Sequence, residues 1–125
     1  MIRDLQNKLL SIGLSGCLAL CYLYMIGIDP EELVFKYDEL VENKIMTEDC
    51  YILDGDKFIK MFGSNKKVKK VALNDTNYDL YIAYYKFQSI GHFVVVDKDN
   101  NVVYNSFYES EAVKYGNMVE KRTLV

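Results

Sequence analysis

The chain has 125 residues, half of them hydrophobic and one of them proline, which excludes a disordered chain and allows one domain-sized core. A net charge of −3 and a pI near 5.1 exclude the basic face that nucleic-acid binding needs. Three cysteines and one histidine exclude a complete intrachain disulfide framework and a zinc quartet, so no metal or organic cofactor is expected and the thiols point to a reducing cytoplasm.

Arg3 to Leu10 reads as a short amphipathic lead-in helix. Ser11 to Gly16 follows as a glycine- and serine-rich turn, with Ser15 placed to cap the next helix. From Cys17 to Ile26 nearly every position is apolar, the signature of a buried helix, and Gly27 suits its C-terminal end. Two rival readings meet here. Leu14-Ser15-Gly16-Cys17 spells a lipoprotein-type cleavage box, yet the apolar stretch before it is short and Asp4 lies in what would be its basic head. Leu18-Ala19-Leu20 also follows where a polar tether belongs. The uncharged run from Leu9 to Ile28 has about the 20 residues that span a bilayer, but Ser11, Gly13, Ser15 and Gly16 interrupt its first half. The expectation is a soluble chain with no membrane partner.

Asp29-Pro30-Glu31-Glu32 starts a second helix, with Asp29 as cap and proline at the first position, running to about Glu42. Asp56 to Phe62 is a short helix ending at Gly63. Lys66, Lys67, Lys69 and Lys70 form a basic strip without interleaved aromatics, expected as a solvated loop entering a strand. Strands are expected over Val68 to Leu73, Tyr78 to Phe87, Gly91 to Val96 and Val102 to Ser106. Asp97-Lys98-Asp99-Asn100-Asn101 makes a hairpin turn between the last two. Helices first and an antiparallel sheet second make a single α+β domain over residues 1–125.

The chemistry gathers at three residues. Cys17, at the first turn of a helix, gains a positive dipole and unpaired backbone N–H groups, which favour a thiolate and can hold an oxyanion. Cys21, one turn deeper, gains neither, and it and Cys50 read as small buried hydrophobes. His92 opens a strand whose alternation sends His92, Val94 and Val96 to one face and Phe93, Val95 and Asp97 to the other. The bland reading of such a histidine is a core-edge residue bonded to a carbonyl. The hairpin, however, returns Asn105 alongside it, where the asparagine can accept from Nδ1–H and aim Nε2 at the thiol. Asn105 reads equally as a turn residue, and Asp97 is a rival orienter.

At these residues the chain resembles the papain-like cysteine peptidases related to bacteriocin-processing exporter domains. Gly16-Cys17-Leu18-Ala19-Leu20-Cys21-Tyr22-Leu23-Tyr24-Met25-Ile26-Gly27-Ile28 is similar to their nucleophile helix, and Gly91-His92-Phe93-Val94-Val95-Val96 to their glycine-histidine-aromatic-valine strand. The resemblance implies a papain-like fold with the nucleophile Cys17 on a buried helix. It also implies His92 as base then acid, Asn105 as the third member, and acyl transfer from a peptide or isopeptide bond of a peptide or protein substrate. The family places an oxyanion glutamine several residues before its cysteine. Here Ser11 falls at that spacing, and Gln6 is the upstream glutamine available. Losing one such donor costs on the order of 10²–10³ in rate. A non-catalytic binding module of a phage or host-conflict kind, using Tyr78, Tyr81, Tyr84, Tyr85, Tyr104 and Tyr108, is one alternative. A glutamine deamidase or transglutaminase-type enzyme is the other.

Overall fold

The computed structural model describes residues 4–125, so Arg3, at the start of the expected lead-in helix, lies outside them. Helix α1 spans Leu5–Ser15, with the Asp4 carboxylate accepting from the Asn7 N–H at its start. It runs straight through the segment expected to be a turn. Ser11 is buried and Ile12 packs on the core, so tertiary contact offsets the modest helix cost of one glycine and two serines. Ser15 therefore ends α1 rather than capping its successor.

Helix α2 spans Cys17–Met25, with Gly16 between the two helices and no side chain capping it. The helices meet at 82°. Gly16 makes that corner: its N–H donates to the Ile12 carbonyl and its own carbonyl accepts from Leu20 N–H, both at 2.9 Å. A Cβ there would lie 2.5 Å from the Ile12 oxygen. The long apolar run is thus broken by a near right-angle corner. Among the described residues no single helix is long and apolar enough to cross a membrane. Ala19, Cys21, Tyr22 and Leu23 of α2 are buried, and the helix ends as expected. Gly27 takes φ 74°, while Gly27 N–H and Ile28 N–H donate back to Tyr24 and Leu23.

Helix α3 spans Glu32–Glu42 and follows a turn in which the Asp29 carboxylate accepts from Glu31 N–H at 2.9 Å. Helix α4 spans Gly55–Met61 and is capped by Asp54 through Lys57 N–H. The remaining elements are β1 (Val68–Val71), β2 (Leu80–Phe87), β3 (Ile90–Asp97), β4 (Val102–Tyr104), α5 (Glu111–Tyr115) and β5 (Asn117–Leu124). All pairings are antiparallel, in the order β1-β5-β2-β3-β4. The α+β class is as expected; α5 and β5, the latter interior to the sheet between β1 and β2, are additional to it.

Strand alternation gives the sheet two buried faces. Ile82, Phe93 and Val95 pack with the α2, α3 and α4 side chains into the main core. Tyr81, Ala83, Val94 and Val96 pack on the other face with Val71, Val113 and Met118. Each fully buried aliphatic side chain is worth about 1.5–3 kcal/mol. The strand tyrosines are largely absorbed by packing: Tyr81 is buried, Tyr84 lies on Phe93, and Tyr104 stacks on Tyr24 at 4.8 Å. Lys66, Lys67, Lys69 and Lys70 are exposed, and Lys70 pairs with Glu120 at 2.7 Å.

Candidate active site

Cys17 is half-buried at the start of α2, whereas Cys21 and Cys50 are buried. Its sulfur sits among the backbone N–H groups of Phe93, Leu18 and Cys17 itself. The Phe93 N–H ties the thiol to β3, one residue from the histidine. These donors do not prevail. Burial pushes the Cys17 thiol up and outweighs the lowering pull of the three N–H groups. The expectation of a resting thiolate is corrected on that ground. Burial pushes Cys21 up further, with Cys17 beside it adding to the effect.

His92 is 7% exposed. Its Nε2 lies 2.8 Å from Asn105 Oδ1, and the same Oδ1 accepts from Phe107 N–H at 3.0 Å. This second bond fixes the tautomer. A backbone N–H can only donate, so the shared atom is the amide oxygen, and Nε2 must carry the hydrogen that reaches it. Nδ1 is then the nitrogen with a lone pair. The pairing with Asn105 agrees with the sequence reading, but the ring is turned end for end, because the expected contact was through Nδ1. Burial lowers the His92 pKa, and the Asn105 bond partly restores it. The resting pair is a neutral thiol and a neutral imidazole.

Asn105 lies one residue beyond β4, whose pairing with β3 is confined to Val95 and Val96. The turn-residue reading and the orienting one coincide here. The Asn105-to-Phe107 bond spans two residues, as in an Asx-turn, and so locks the side chain that holds the imidazole. That locking bond was the feature sequence reasoning missed. An asparagine just past a strand, before Ser106, was its only signal. Asp97 is otherwise engaged: its carboxylate accepts from Asp99 N–H and Asn101 N–H, both at 2.9 Å, and closes the hairpin.

Cys17 and His92 line one cleft of about 520 Å³, walled by the end of α1 and the loop between β4 and α5. Asn105 stands behind His92. Gln6 is not brought to the site. It is exposed near the start of α1, about 10 Å of helical rise from Gly13, where α1 reaches the cleft. Ser11 is buried within α1 and lines no part of the cleft. The groups that pull the thiol down are the backbone N–H groups of Phe93, Leu18 and Cys17.

No match was found among curated proteins or among solved structures. A family model described as "Protein of unknown function, DUF261" matches residues 2–125, nearly the whole chain, which therefore belongs to the DUF261 family.

Proposed function

We propose that this chain is a cytoplasmic, papain-like acyl-transfer enzyme acting on a peptide or isopeptide bond of a peptide or protein substrate, with Cys17 as nucleophile, His92 as base and Asn105 as orienter. One observation carries the reading: the Asn105 oxygen, locked by Phe107 N–H, holds His92 Nε2–H and leaves Nδ1 as the basic nitrogen of a residue that lines the same cleft as Cys17. In the first step Cys17 Sγ attacks the carbonyl carbon while His92 takes the thiol proton. The tetrahedral oxyanion is held by N–H groups at the first turn of α2. Its collapse breaks the C–N bond, His92 returns the proton to the leaving nitrogen, and a thioester remains on Cys17. Water, deprotonated by the same imidazole, then releases the acid and restores the thiol.

The neutral resting pair fits this sequence, since the proton moves only when an acyl group is present. A second reading, a catalytically silent module on the same scaffold, is favoured by one observation: Gln6 is exposed and far along α1, leaving the oxyanion to backbone donors. The experiment is acylation by a p-nitrophenyl ester followed by intact-mass and peptide mapping. The enzyme reading expects one thioester, on Cys17, absent from Cys17→Ala. A folded protein that stays unacylated, with no turnover of peptides or glutamine amides, belongs to the silent module. Turnover of a glutamine side-chain amide in preference to a peptide bond assigns the deamidase form.

A further inference from the structure

Two clefts that differ in charge meet at Cys17. Leu14, Cys17 and Gly91 line both, so the clefts are two arms of one groove passing the thiol. Gly91 lets the Tyr84 ring close against the groove wall. A Cβ there would fall 1.9 Å from the Tyr84 hydroxyl, so the tyrosine ring already occupies the space a side chain would need.

The larger arm, about 520 Å³, contains His92 together with the carboxylates of Glu109 and Glu111, and no lysine or arginine lines it. The smaller arm, about 180 Å³, is walled by Leu18, Tyr51, Ile52, Tyr84 and Phe93, and no charged residue lines it. Mechanism gives the groove a direction. The imidazole that protonates the leaving nitrogen must be on the leaving-group side, and His92 lines the larger arm alone. The acyl portion then lies in the smaller arm.

Resting on the acyl-transfer reading above, we infer that the groove selects a substrate with an apolar or aromatic residue on the acyl side and a lysine or arginine on the leaving-group side. The smaller arm offers aliphatic and aromatic surface to an apolar side chain and no charge to a charged one. The two glutamates, both exposed, attract a cation at the mouth of the cleft, an interaction that salt weakens.

Acyl-acceptor competition tests this without requiring efficient peptide cleavage. The protein is acylated with a benzyloxycarbonyl-phenylalanine p-nitrophenyl ester in the presence of equal lysinamide and glutamic acid amide. Both amines enter from the leaving-group side and form stable amides by aminolysis of the thioester. Lysine product is expected to exceed glutamate product by up to about fivefold, the worth of one to two exposed ion pairs. In Glu109→Gln/Glu111→Gln the preference should disappear, and 0.5 M salt should reduce it in the native protein. An aspartate-based ester should acylate far more slowly than the phenylalanine one. If Cys17 acylates but the two amines partition equally, or the double variant keeps the preference, the inference is overturned and the enzyme reading stands. If Cys17 is never acylated, both fall together.

Discussion

A histidine held from behind by a carbonyl oxygen has one nitrogen left to act, and at His92 that nitrogen is Nδ1. Replacing Asn105 by alanine removes the restraint and frees Phe107 N–H. The variant should fold, lose about 1 kcal/mol of stability for the missing hydrogen bonds, and acylate at Cys17 roughly 10–100-fold more slowly, within the range assigned to positioned acid–base groups. An unchanged acylation rate would remove Asn105 from the mechanism. The same burial that keeps His92 neutral has a stability consequence. Its pKa is lower in the folded chain than in the unfolded one, so below about 6.5 the unfolded state binds more protons. Its contribution is therefore full above about 6.5 and is lost as pH falls through the lowered folded value. Urea midpoints measured between pH 7 and 5 should fall less steeply for His92→Gln than for the native chain.

At the scale of the element, the corner between α1 and α2 sets the thiol. Gly16→Ala would place a Cβ against the Ile12 carbonyl, so α1 must shift or the corner must open. A loss of more than about 1 kcal/mol is expected, with slower modification of Cys17 even where the variant remains folded. Equal stability and equal reactivity would show that the corner is not needed. Several elements were legible because local chemistry and tertiary packing agree. The apolar run of α2 is buried, Gly27 ends it, and Asp97 closes the hairpin, whereas α3 starts at Glu32 with Glu31 at its cap position, so Asp29 and Pro30 lie in the turn before it and not at the helix start. Ser11, Gly13 and Ser15 misled, because α1 gains its last turn from contact with the core rather than from propensity, whereas Gly16 breaks the helix as expected. Cys17 and His92 were legible as candidates from their positions alone. The ring orientation was not, since it depends on a backbone N–H from a loop.

Across the whole molecule, the least legible strand is an interior one. Among the middle residues of β5 are Glu120, Lys121, Arg122 and Thr123, a polar run that reads as surface, yet it lies between β1 and β2. Each polar group is answered there. Lys121, 2% exposed, donates to the Leu73 and Asp75 carbonyls and to Asn100 Oδ1, and lies over the Tyr81 ring at 4.0 Å. Arg122 meets Glu120 and Phe93, and the Thr123 hydroxyl donates to the Leu80 carbonyl. Lys121 thereby ties the loop before β2 and the β3–β4 hairpin to the sheet centre. Lys121→Met keeps the stem but leaves those oxygens without their donor. A loss of roughly 1–3 kcal/mol is expected, read as a lowered urea midpoint, and an unmoved midpoint would contradict this role.

The central claim, that His92 serves Cys17 as its base, is tested most directly by the pH dependence of Cys17 acylation. Burial raises the thiol and lowers the imidazole, so the native rate should rise as His92 loses its proton, with a midpoint below about 6.5, and then level off. In His92→Ala the rate should be far lower near neutrality. It should climb with the thiol alone, tenfold per pH unit, to beyond the ordinary value of about 8.5. Superimposable profiles for the two folded proteins would contradict the account.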